Sequence, residues 1–258
     1  MVDTLTFVAH QDDDLLFIYP DALQGHDHWV VYLTAGQDIG GLPYANRRAD
    51  GAKKAHAQAA GVPNNWDMHE VTYAGHPVPI DVLRNTNIKL IFTYILAASA
   101  GANDPYGDLF RMWYLSDYAA EPIDKRPAYD RASFLALLRA IIADARPRHI
   151  LTQDTKAVKT DDHIDHIVGA MFVSEADAHE GKTLVERTEY YGYPITKMPF
   201  NLTEEQRNKK VEVFNRYVED DPLAAGWLTQ EGYHVWHQQY PRTVNKVGAP
   251  WVRRCDPL

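Results

Sequence analysis

Two short clusters of acidic and imidazole side chains carry most of the chemistry open to this chain. His10-Gln11-Asp12-Asp13-Asp14 stands near the start, and His163-Ile164-Asp165-His166 lies in the second half. A hydrolytic zinc site takes three ligands from His and carboxylates and keeps a fourth position for water, whose pKa falls to roughly 7. His10, Asp13 and His166 fit that count. His10 and Asp13 are three residues apart at what reads as a strand-to-helix turn, so both can project to one side and leave Asp12 free to act as a base. His163 and His166 have the same spacing and share a helix face, so one can ligate while the other works on a substrate. The chemistry is metal-assisted amide hydrolysis. Asp12 takes a proton from the attacking water, His163 stabilises the oxyanion or protonates the leaving amine, and Asp165 hydrogen-bonds an imidazole to fix its tautomer and orientation. Taken singly, each cluster also suits a solvated turn or a helix cap; their pairing is what points to a metal.

The elements around the clusters decide whether they meet. Leu5 to Ala9 is a short apolar, β-favouring run that stops at the first cluster, as a buried strand does. The second cluster follows Thr160-Asp161-Asp162, a helix start with Asp at the cap, and opens an apolar-periodic segment. Further strands are expected at Trp29 to Thr34, Met68 to Thr72, Leu90 to Tyr94, His149 to Gln153 and Glu186 to Tyr191. Helices are expected at Ala45 to Ala60, Tyr129 to Ala145, His163 to Ala176 and Glu204 to Val218. This alternation predicts an α/β fold, a Rossmann-like doubly wound and mainly parallel sheet with helices on both faces. In such sheets ligands bind outside the strand ends, which would put both clusters in one crevice.

No linker or low-complexity stretch divides the 258 residues, so one domain is expected over 1–258. Between Gly101 and Pro127 the periodicity fails while Tyr106, Phe110, Trp113, Tyr114 and Tyr118 accumulate, which reads as an aromatic loop at about 101–127. Such a loop either packs on the core or stacks a sugar ring or an apolar aglycone. From about 220 onward a C-terminal extension rich in Trp, Tyr and Gln is expected to pack on the core, His234 and His237 included. The net charge of −9 argues against general affinity for nucleic acid or an anionic membrane, both of which need basic patches. No apolar run is long enough to span a bilayer, and no basic leader precedes one, so the expected location is cytoplasmic without membrane insertion. The lone Cys255 excludes an internal disulfide and a multi-cysteine zinc site, so a metal must be held by His, Asp or Glu.

The sequence resembles the PIG-L/LmbE-like zinc-dependent deacetylases, which remove acetyl groups from N-acetylglucosamine units. The family's opening signature, A-H-P-D-D-E/D, is matched by Ala9-His10-Gln11-Asp12-Asp13-Asp14, and its second, H-x-D-H, by His163 to His166. By position the resemblance implies His10, Asp13 and His166 as metal ligands, Asp12 as the general base and His163 as the second catalytic group. It extends through Tyr32-Leu-Thr-Ala-Gly36, the helix from Arg48 to Gly61, Met112-Trp113 and the late turn Tyr191-Gly-Tyr193-Pro194. It implies Zn2+, or another divalent ion, as cofactor, and an N-acylated glucosamine-like sugar or glycoside as the small-molecule substrate. A zinc amidase acting on a non-sugar acyl amine and a catalytically silent sugar-binding homologue are the rival expectations. In two places the chain departs from the pattern. Gln11 replaces the usual proline and so removes a backbone restraint from the ligand turn. Asp161 stands where some sugar deacetylases of the family carry a tyrosine that aids the oxyanion.

Three more residues are candidate substrate contacts. Arg48 occupies the family position that meets the sugar, and its guanidinium can fork to hydroxyls or a phosphate or else pair with Asp50. Asp38, in the Gly-rich loop after the second strand, can bind sugar hydroxyls or simply form a turn. Trp113 belongs to the aromatic segment. His26 and His28 resemble a metal pair but precede a strand, and read as surface loop. Glu204, Glu205, Glu212 and Glu219 with Lys209, Lys210 and Arg216 read as the solvated face of an amphipathic helix. Gly36, Gly40 and Gly41 do not make a dinucleotide fingerprint.

Overall fold

The structure is a computed structural model and describes residues 1–99, 103–156, 162–179, 185–228 and 241–244. The readings placed on Asp161, His234, His237 and Cys255 lie outside these residues. Strand β1 (Thr4–Val8) is the centre of the molecule, with β2 (His28–Tyr32) parallel to it on one side and β8 (His149–Gln153) parallel on the other. Strands β5 (Lys89–Phe92) and β9 (Glu186–Tyr190) extend the parallel set outward. A hairpin of β3 (Trp66–Tyr73) and β4 (His76–Leu83) adds two antiparallel strands beyond β5, and β10 (Pro241–Val244) pairs antiparallel with β9. Among the described residues the sheet has eight strands in the order β10-β9-β8-β1-β2-β5-β4-β3, and β6 (Ala119–Ala120) and β7 (Tyr129–Asp130) form a separate antiparallel pair.

The central strands alternate between two apolar faces, as strands buried on both sides must. Leu5, Phe7, Trp29 and Val31 point to one face, where they meet α3 (Gly107–Tyr114), α4 (Arg131–Ala145) and α5 (Ile164–His179) through Met112, Phe134, Leu138 and Phe172. Val8, Val30 and Tyr32 point to the other, against α1 (Asp13–Phe17), α2 (Gly41–Ala60) and α6 (Glu204–Tyr217). Ala49, Ala52 and Ala55 let α2 lie close on the sheet, and Gly61, left-handed at φ 66°, ends it by donating its N–H to Ala57 and Gln58 carbonyls. Capping boxes at Asp130/Ser133 and Thr203/Gln206 start α4 and α6. Among the described residues no helix is long and apolar enough to cross a membrane.

The structure revises several sequence expectations. Strand β4 was hidden by Pro77 and Pro79, which remove ladder donors; both fall outside Ile80–Val82, the part of β4 that pairs with β5. The aromatic stretch is not a loop throughout, because Gly107–Tyr114 is helical. Around that helix Tyr106, Phe110 and Tyr114 form a ladder outward and Trp113 points inward. His26 is exposed as expected, but His28 is buried and shares a hydrogen bond with His56. Lys210 is also buried rather than solvated, and burial pushes its ammonium down to about 7.

Candidate metal centre and active site

The site lies where β1 and β8 end. Beyond Val8 the chain turns through His10 into α1, and the turn is closed by the His10 N–H donating to Asp13 Oδ2 at 2.7 Å. The Ala9 N–H donates to Gln153 Oε1 at 3.0 Å, which ties this turn to the end of β8. Gln11, in place of a proline, restrains the turn by another route: its amide donates to the Thr34 and Ala35 carbonyls at 3.2 and 3.1 Å, anchoring it to the segment after β2. Helix α5 starts beside it and brings in the second cluster.

The two clusters interlock. Asp13 Oδ2 lies 3.3 Å from His10 Nδ1, and Asp13 Oδ1 lies 3.1 Å from His166 Nε2. Asp165 Oδ2 lies 3.2 Å from His10 Nε2 and accepts the Ala98 N–H at 2.8 Å. The His163 ring stands edge-on to His10 at 4.7 Å between centroids. Ligand atoms of His10, His163 and His166 lie within 4.8 Å of one another, as do those of His10, Asp12 and Asp13. All these side chains are buried except His163, whose side chain is 29 % exposed and so opens the cluster to incoming molecules.

Charge is balanced inside the cluster. Burial opposes an imidazolium at His10, but Asp13 and Asp165 outweigh it and hold the group up at about 9. At His166 burial is likewise outweighed by Asp13 and Asp162, which hold it at about 10. Burial opposes the Asp13 carboxylate too, yet His166 and His10 hold it well below the usual range. Burial pushes the Asp12 carboxyl up to about 6 against the pull of Arg48. His163 is pushed down to about 4 by burial, with His10 adding to the effect. The donor set of two imidazoles around one carboxylate suits a divalent ion. His166 Nε2 is buried and faces Asp13 without the geometry of a hydrogen bond, so once it loses its proton its lone pair is available to an ion.

Of the expected substrate contacts, only Asp38 sits at the rim, where it accepts from the Ser99 hydroxyl next to the Ala98–Asp165 contact. Arg48 is buried and paired with Asp12, not with Asp50 or solvent, so its fork is already engaged. Trp113 is not brought to the site: it packs edge-on against Phe172 in the core, with the Arg131 guanidinium over its ring at 4.1 Å. Sequence reasoning missed Asp162, which it read only as part of a helix cap. Its Oδ1 lies 2.9 Å from His166 Nδ1, and its carboxylate accepts the N–H groups of Gly192 and Tyr193, both at 3.1 Å. The i,i+4 spacing of Asp162 and His166 was the signal. The turn at Tyr191 to Pro194 thus packs on the site, with Tyr193 stacked on His166 at 5.6 Å.

Fold and site together define a Rossmann-like α/β protein with an imidazole–carboxylate cluster at the carboxyl end of its parallel strands. Among solved structures, the conserved protein TT1542 from Thermus thermophilus is similar at 15% identity, with 98% of each chain covered and a TM-score of 0.51. No curated protein matches the chain. Residues 5–177 match the PIG-L family, described as GlcNAc-PI de-N-acetylase. The chain belongs to the PIG-L family, a family of de-N-acetylase hydrolases.

Proposed function

We propose that this protein hydrolyses the amide of an N-acetylated, or otherwise N-acylated, glucosamine-containing sugar or glycoside. The observation that carries the reading is the convergence of His10, Asp13 and His166 with Asp12 and His163 in one cluster of a PIG-L chain. His10, Asp13 and His166 would hold a divalent ion, with zinc the first choice for an N/O donor set. Such an ion, when bound, supplies a Lewis acid for the acyl carbonyl and brings the pKa of a bound water to roughly 7.

The chain's own groups do the rest. Arg48 donates to Asp12 Oδ1, which leaves Oδ2 to take a proton from the attacking water. Water oxygen bonds to the acyl carbon, the carbon–nitrogen bond breaks, and the proton held on Asp12 is the one the departing amine needs. His163 Nδ1 accepts the Asp165 backbone N–H at 3.2 Å, so the neutral ring carries its proton on Nε2. That Nε2–H is a donor for the oxyanion that develops on the carbonyl oxygen. Asp165, between His10 and the Ala98 N–H, holds the His10 ring in place.

The test is release of primary amine by the zinc-loaded protein from a panel running from N-acetylglucosamine through chitobiose to glycosides with aromatic aglycones, with Asp12→Ala as control. Turnover that vanishes in Asp12→Ala while zinc stays bound supports the reading. Zinc binding with no turnover on any member overturns it.

A further inference from the structure

A second charged network lies directly on the base. Arg48 is buried and divides its guanidinium among four groups. One terminal nitrogen donates to Asp12 Oδ1, the other donates to the Gly36 carbonyl at 3.0 Å, and Nε donates to the Tyr217 hydroxyl at 2.7 Å while lying 3.2 Å from Asp221 Oδ2. Tyr217 donates onward to Asp221 Oδ2 at 2.7 Å. Asp221 Oδ1 accepts the Tyr44 hydroxyl at 2.5 Å and the Ala224 N–H at 3.2 Å. Tyr217 is the last residue of α6, and Asp221 follows four residues on, so both lie beyond the stretch 5–177 that matches the family. The helices can approach this closely because α2 has Gly51 at the crossing; a Cβ there would stand 2.6 Å from the Tyr217 carbonyl oxygen.

Two buried carboxylates, Asp12 and Asp221, therefore flank one guanidinium. A guanidinium held from four sides cannot swing, and its planar fork fixes the direction in which it meets Asp12. We infer that Tyr217 and Asp221 are positioning residues of the hydrolytic site, acting through Arg48 to orient Asp12. The inference rests on the reading of Asp12 as the base.

Two experiments on the full chain test it and separate its failure from that of the deacetylase reading. In the first, wild type, Asp12→Asn, Asp221→Asn and the double variant are unfolded in urea without metal. Either single change leaves Arg48 one carboxylate, whereas both together strand a buried guanidinium. The unfolding constant of the double variant should exceed the value expected from the two single effects by about tenfold. Agreement with that value within about twofold overturns the inference. If Asp221→Asn does not fold, Tyr217→Phe, which removes one hydroxyl and leaves Asp221 on Arg48, carries the inference through the second experiment.

In the second, the zinc-loaded Tyr217→Phe and Asp221→Asn proteins are assayed on a substrate that the wild type turns over. An expected fall in kcat of about tenfold, with KM and zinc affinity held within about twofold, marks a positioning role, because general-base catalysis is worth ~10²–10⁴-fold and these residues act on it indirectly. An unchanged kcat with lowered stability marks a purely structural role and overturns the inference. An inactive wild type with a non-additive cycle removes the deacetylase reading while supporting the link between Asp221 and Asp12; an active wild type with an additive cycle removes the link alone.

Discussion

Asp162 Oδ1 lies 2.9 Å from His166 Nδ1, so the imidazole nitrogen facing away from Asp13 is held by a carboxylate that the same helix start supplies. A ligand imidazole held in this way is fixed in rotation and made more basic, and losing such a partner typically costs ~10–100-fold in metal affinity. Asp162→Asn should therefore weaken zinc binding by about that factor, read by competition with a chromogenic chelator, while the circular dichroism of the fold stays unchanged. Equal affinity in the two proteins would show that His166 does not depend on this contact.

Metal uptake should release protons. His10 and His166, held at about 9 and about 10, both carry a proton at pH 7 in the metal-free protein, whereas a metal takes only the neutral ring. Titration calorimetry in buffers of different ionisation enthalpy should find about two protons released per zinc at pH 7. The sign follows from the raised values: affinity increases with pH, more gently once His10 loses its proton near 9, and levels off above about 10 where His166 has lost its proton too. Release of no proton at pH 7 would mean that neither ring is a ligand.

Much of this was legible in the sequence, for physical reasons that differ by element. The strands β1, β2, β5 and β8 each carry a short, largely apolar run because both faces of the sheet are covered, and such runs announce themselves. The first cluster and the His163 to His166 cluster were readable because ligand chemistry needs particular residue types at short spacings. Long-range partners leave no such trace. Asp221 meets Arg48, Asp162 meets Gly192, and His28 meets His56 only after the chain has folded, so Asp162 read only as part of a helix start, His28 read as surface loop, and nothing singled out Asp221. Trp113 misled in the opposite direction: an aromatic residue suited to sugar stacking sits against Phe172, because α3 turns that side inward.

Gly192 is a packing requirement of the same cluster. A Cβ at this position would stand 2.5 Å from both Asp162 Oδ1 and His166 Nδ1, inside contact distance of two buried groups that have little room to move. Gly192→Ala should push the Asp162–His166 pair apart and weaken zinc binding by about tenfold or more, comparable to losing the carboxylate. The measurement is the same chelator competition, with thermal unfolding of the metal-free protein run alongside. A fall in stability at unchanged zinc affinity would place the strain elsewhere.

The buried pair of His28 and His56 makes folding itself sensitive to acid. His28 Nε2 and His56 Nδ1 are 3.1 Å apart, and His56 Nε2 is 2.8 Å from Asp14 Oδ2, all under the sheet and away from solvent. Burial, with His56 adding to it, pushes His28 down to about 3, whereas the unfolded chain restores the ordinary value of 6.5. The unfolded state therefore binds the extra proton as pH falls below 6.5, and stability is lost progressively from there down to about 3. By pH 5 the loss from this one residue is about 2 kcal/mol. His10 and His166 have raised values and tilt the curve the other way, but they do so equally in a variant that lacks His28. Urea unfolding of the metal-free wild type and of His28→Leu at pH 7 and pH 5 isolates the effect. The wild type should lose about 2 kcal/mol more than the variant over that interval. Parallel losses would mean that His28 is already protonated in the folded protein, paired with a group that compensates its burial.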